Sequence, residues 1–186
     1  SNGTALVFST YFGGSSGDDA NGIAVDATGN VYVVGGTYSA NFPTFRAFQT
    51  SKGNLNDAYL AKFGPFGTNL LYSTFYGDSG APSSGYGEEA FGVAVNNSGG
   101  AYMVGETESG SAFYSKPPLQ SGFGGGATDV LIARFDTTAN GANSLVWGSW
   151  YGGSFDEHGY AIAVDSSGNV YVTGYMEMLY CDSGAP

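Results

Sequence analysis

The sequence predicts an all-β chain: tandem four-stranded antiparallel blades forming a stretch of β-propeller that one chain does not close into a ring. Three observations predict it. Long segments recur about 70 residues apart. The recurring segments read as strands, short and rich in Val, Ile, Tyr and Phe. Clusters of Gly, Asn, Asp and Ser separate them, and glycine reaches 32 of 186 residues, about 17% against the usual ~7%.

The recurrences define the elements in order. Leu6-Val7-Phe8-Ser9-Thr10-Tyr11-Phe12-Gly13-Gly14 returns at 70–78 and 145–153. Ile23-Ala24-Val25-Asp26-Ala27-Thr28-Gly29-Asn30-Val31-Tyr32-Val33-Val34-Gly35 returns without a gap at 93–105 and 162–174. Asp57-Ala58-Tyr59-Leu60-Ala61-Lys62-Phe63 returns at 129–135. One unit therefore holds strands a (from Ile23), b (from Val31), c (from Ala58) and d (from Leu70). Val31-Tyr32-Val33-Val34 is apolar on both parities, as a strand between two packed sheets is. Asp26 to Asn30 and Asp165 to Asn169 read as hairpin turns in which the leading Asp accepts backbone N–H groups and Gly takes the left-handed position.

The phase is a lone d strand, two full a–d sets, and a final a–b pair. That is about two and a half to three blades, whereas rings need roughly four to eight. The single repeat region 1–186 divides into units near 1–22 (the end of a blade), 23–78, 93–153 and 162–186 (a partial blade). Further blades of a longer parent chain, or other copies of this chain, are the expected partners.

Composition excludes several classes. Five basic residues face sixteen acidic ones, for a net charge of -11. Nucleic acid is excluded as a partner, because phosphate binding needs clustered Lys and Arg. No apolar run approaches the ~20 residues of a membrane span, so no membrane insertion is expected. The lone Cys181 forms no internal disulfide. Ser1-Asn2-Gly3-Thr4 has neither the basic nor the apolar region of a signal peptide, as expected of a mature or excised chain.

The Ser-Thr-Tyr-Phe-Gly-Gly word, the Ile-Ala-Val-Asp…Gly-Asn-Val-Tyr-Val-Val-Gly word, the Asn41-Phe42-Pro43-Thr44 step and Asp57 to Phe63 resemble the bacterial β-propeller repeat family SBBP. The resemblance runs to about Gly174; the tail 175–186 departs from it, as does Gly77-Asp78 where the pattern has Gly-Gly. It implies a large secreted or cell-surface bacterial protein, and it carries no catalytic residue set.

Candidate site residues follow from the repeats. Asp18, Glu88 and Glu157 align five residues before each recurring a segment. As a ring of rim acids they are candidate cation ligands, with calcium the hard cation such oxygens take. The leading reading is structural: one carboxylate per loop accepting backbone N–H groups. Adjacent acids in a strand point to opposite faces, so one of each pair serves. Tyr38, Phe42, Phe45 and Phe48, in the long b–c connection, are the candidate recognition surface for a protein or carbohydrate, or else a cover for the blade edge. Lys62 and Arg134, with Asp57 and Asp129, read as salt-bridging or edge-guarding residues. Gly77-Asp78-Ser79-Gly80-Ala81-Pro82 looks like the nucleophile segment of trypsin-like proteases, but the only histidine, His158, lies downstream of it, and a triad needs a His base.

These readings lead to a non-enzymatic scaffold or binding module of a secreted or cell-surface protein. One alternative is a subunit of an extracellular fibre or oligomer assembled by strand addition. Another is a fragment of a larger extracellular enzyme with its active site elsewhere.

Overall fold

The computed structural model of the chain describes residues 3–53, 55–78, 87–96, 98–108 and 116–177. Among them ten strands form three antiparallel sheets. The first sheet runs β1 (Gly22–Val25), β2 (Val31–Thr37), β3 (Asp57–Phe63) and β4 (Leu70–Tyr76), in that order. The second runs β5 (Glu88–Val95), β6 (Gly100–Thr107), β7 (Asp129–Asp136) and β8 (Leu145–Tyr151). The third holds only β9 (Asp156–Val164) and β10 (Val170–Glu177). No α-helix occurs among the described residues. These are the predicted blades, two whole and one partial.

The hairpin turns form as their chemistry dictates. Asp26 Oδ1 accepts the N–H groups of Thr28 and Asn30 at 2.9 and 3.0 Å, and Oδ2 accepts Asn30 Nδ2 at 2.7 Å. Asp165 and Asn96 do the same in their units. Gly29, Gly99 and Gly168 sit at φ near +85° in the left-handed region, which an L side chain rarely adopts. Burial works to raise the Asp26 carboxyl, but the donors from Asn30 and Thr28 outweigh it and hold the group well below the usual carboxylate range. Asp26→Ala leaves those donors without their acceptor. Urea denaturation is expected to show a loss of about 1–2 kcal/mol; a loss below the error of the method would mean that backbone geometry alone holds the turn.

The two whole sheets pack face to face through aromatic side chains. Phe135 is fully buried, with Tyr76 edge-on at 5.2 Å and Tyr72 at 6.4 Å. Leu60, Tyr32 and Val34 of the first sheet share this core with Met103, Leu131 and Trp150 of the second. A smaller cluster of Val104, Val130 and Ile132 receives Ile162 from the third sheet.

Two expectations are corrected. The segment 6–14 forms no strand, and Leu6, Val7 and Tyr11 are exposed. A d strand hydrogen-bonds to a c strand, as β4 does to β3, and among the described residues no strand pairs with this segment. Lys62 and Arg134 are neither paired with Asp57 and Asp129 nor at an edge. Each lies five residues along its strand from that Asp, which in a strand is about 17 Å and the opposite face, and β3 and β7 are interior to their sheets. Their charged groups instead lie over the rings of Tyr32 and Tyr102 on the neighbouring b strands, at 4.9 and 5.4 Å.

Candidate functional site

The acids Asp18, Glu88 and Glu157 occupy equivalent places. Asp18 opposes Thr37, Glu88 opposes Thr107 and Glu157 opposes Met176 across the a–b pairing. Each carboxylate accepts the backbone N–H of the last residue of a d segment: Gly14 to Asp18 at 2.7 Å, Asp78 to Glu88 at 3.2 Å, Gly153 to Glu157 at 2.9 Å. Asp18 is further held by the hydroxyls of Thr37 and Ser39, and Glu88 by Thr107 at 3.0 Å. Glu88 is buried and Glu89 is not, the alternation that a strand imposes.

Folding adds a second row of acids to this one. Asp57 and Asp129 open the c strands, and each comes to face the first-row acid of the next sheet across a glycine. A Cβ placed on Gly152 would lie within 2.5 Å of both Asp129 Oδ1 and Glu157 Oε2; one on Gly77 would meet Asp57 and Glu88 in the same way. Gln49 and Gln120 brace the two corners, each accepting the N–H of that glycine. The signal was present in the sequence, since Asp57 and Asp129 open both copies of one word and Gln49 matches Gln120. What the sequence does not show is that the a-strand acid of the following unit folds back against them.

Burial pushes Asp57 up to about 7, with the charge of Glu88 adding to the effect against the N–H of Gly53. Burial and Glu157 raise Asp129 to about 6. A carboxyl raised above its ordinary 3.8 binds its proton more tightly folded than unfolded. Its contribution to stability is therefore fully present below pH 3.8 and is lost as pH rises through about 7. Asp57→Asn removes the charge and keeps the shape. Its denaturation midpoint is expected to fall less than that of the parent between pH 5 and pH 8, and to lie above it at pH 8. Parallel curves for the two proteins would show that Asp57 does not titrate in this window.

The candidate recognition surface divides. Tyr38 and Phe45 are exposed. Phe42 is buried at 4% exposure, packed on Phe12, Tyr59 and Phe75, and Phe48 packs between Tyr76 and Phe135. The b–c connection folds back along the outermost strand, where Phe45 and Ser73 exchange backbone hydrogen bonds, as Lys116 and Gly148 do in the second sheet. It covers the d edge, and that inward packing takes Phe42 and Phe48 out of the proposed surface.

A groove of about 1210 Å³ opens between β10 and the outer half of the second sheet, lined by Val130, Ile132, Trp147, Val172 and Met176, and also by Glu157 and His158. The His158 ring bonds the Glu106 carboxylate and stacks on Tyr175 at 4.5 Å. Ser79 to Pro82, the protease-like words, lie outside the described residues, as do Cys181 and 178–186. Among the described residues no helix is long and apolar enough to cross a membrane.

A family model described as beta-propeller repeat, SBBP, matches residues 7–43 and 152–175. These two stretches take in the β1–β2 and β9–β10 hairpins. No curated protein matches the chain.

Proposed function

This chain carries β-propeller repeats of the SBBP family, and from that premise we propose that it is a non-enzymatic scaffold and binding module of a secreted or cell-surface protein. One observation carries the reading. Among the described residues no strand pairs with the outer edge of β10, which lies beside an apolar groove at the place where β2 receives β3 and β6 receives β7. A further strand of the c type fits there by the same backbone pairing, and its apolar face covers Val130, Ile132 and Trp147. Tyr38 and Phe45, in the b–c connection that folds along the sheet, are the exposed rings available to a protein or carbohydrate ligand. The acids recur from unit to unit, whereas catalysis needs one distinctive constellation.

The same edge favours a second reading, in which strands of another copy complete the blade and the chain assembles into a fibre or oligomer. Light scattering across a range of concentrations separates the two. A constant mass near 19.1 kDa supports a module whose blades are completed by a longer parent chain. Growth of particles with concentration overturns that reading in favour of assembly between copies.

A further inference from the structure

The two acid corners are built from the same parts, yet they are satisfied differently. At the first, all four carboxylate oxygens have protein donors. Asp57 accepts the Gly53 N–H at 3.0 Å and Gln49 Nε2 at 2.8 Å, and Glu88 accepts Thr107 Oγ1 at 3.0 Å and the Asp78 N–H at 3.2 Å. A cation stands beside them too, because Lys52 Nζ bonds the Gly53 carbonyl at 2.9 Å.

At the second corner two of these groups and one of these bonds are missing. Thr107 is replaced by Met176, which has no donor. Lys52, three residues after Gln49, is replaced by Phe123, three residues after Gln120. The amide of Gln120 reaches the Gly122 carbonyl at 2.7 Å, and no bond from it to Asp129 corresponds to that of Gln49 to Asp57. Asp129 Oδ2 and Glu157 Oε2 keep their N–H donors from Gly124 and Gly153. Asp129 Oδ1 and Glu157 Oε1 are buried with no protein partner, on side chains 0% and 8% exposed. A buried anionic oxygen left unpaired is costly, so a compensating group belongs at this corner.

We propose that Asp129 and Glu157 hold a divalent cation, Ca²⁺ by their chemistry, between the second and third sheets. Asp129 Oδ1 and Glu157 Oε2 both lie within 2.5 Å of one point beside Gly152. They are thus at most about 5 Å apart, the span of two oxygens on one Ca²⁺ at ~2.3–2.6 Å each. The carbonyl oxygens of Gly152 and Gly153 pack against Gly124 at the same corner and add neutral hard oxygens. Gly152, Gly153 and Glu157 line the open groove, which gives the ion a way in. The cation does at this corner what Lys52, Thr107 and Gln49 do at the other, and it ties the partial blade to the whole one. The inference is independent of whether the module is enzymatic or what it recognises.

The test is a calorimetric titration of CaCl₂ into metal-stripped protein, with thermal melts in parallel. One saturable site per chain is expected, with a dissociation constant of about 10⁻⁴–10⁻³ M, as in weak extracellular calcium modules, and a rise of several degrees in Tm. Asp129→Asn and Glu157→Gln each lower the affinity at least tenfold, whereas Asp57→Asn leaves one site with its affinity unchanged. No saturable heat in the wild-type protein overturns the proposal, whatever the variants do. Binding that survives both second-corner variants, or that falls with Asp57→Asn, also overturns it.

Discussion

Gly105→Ala is expected to cost about 3 kcal/mol or more and to leave much of the protein unfolded at 37 °C. Gly105 lies in β6 opposite Ala90, where the register with β5 slips by one residue at Phe91. The slip draws the β5 backbone over the glycine. A Cβ there would overlap the Glu89 carbonyl oxygen and crowd Ala90 Cα, both well inside 3.0 Å. The obstructing atoms are backbone, so no rotamer change relieves the overlap. Overpacking usually costs about 1–3 kcal/mol; a clash that forces two paired strands apart belongs at or beyond the top of that range. Gly35 meets the Asp19 carbonyl and Gly174 the His158 carbonyl in the same way, so the constraint belongs to the blade and not to one site. Gly17→Ala is the control, since a Cβ there meets only Tyr38 Cδ2 at 3.6 Å. Urea denaturation of the two variants decides it: equal midpoints would mean that β5 yields freely and that the repeated glycine has another cause.

Phe135→Ala is expected to lower stability by about 3–5 kcal/mol, the range for deleting a buried phenyl ring. The ring is fully buried between the sheets, against Tyr76, Tyr72 and Phe48. Tyr72 and Tyr76 belong to the first sheet and Phe135 to the second, so the loss falls on the interface and not inside either sheet. In an array of repeats, the terms between neighbours hold the units to a single transition. Transitions followed by circular dichroism and by intrinsic fluorescence should therefore coincide in the parent and separate in the variant. A loss under about 1 kcal/mol would show that the sheets fold without relying on this contact.

Much of the blade was legible in the chain because its determinants are local. Asp26 and Asn30 are four residues apart, and their turn closes without help from the rest of the molecule. The a, b, c and d words recur, so β1 to β10 could be placed from repetition and β-propensity. Segment 6–14 shows the limit of that reasoning. It has the composition of a d strand, but a strand exists only where another supplies its ladder of hydrogen bonds. The aromatics of the b–c connection show a second limit. Tyr38, Phe42, Phe45 and Phe48 are alike in sequence, and the direction in which the connection folds back over β4 sends two outward and two into the core.

The candidate site was half legible. Asp18, Glu88 and Glu157 align by counting, and their structural equivalence follows from the count. Asp57 and Asp129 also repeat, yet each meets its acid 31 and 28 positions further on in the numbering. Sequence alone thus established the repeat, the all-β class, the order of strands and the turn chemistry, all of which rest on interactions within a few residues. Packing of one blade on the next established which aromatics are buried, which glycines admit no side chain, and which carboxylates share a corner. These depend on groups far apart in the chain, brought together only when the sheets bury their apolar faces against each other.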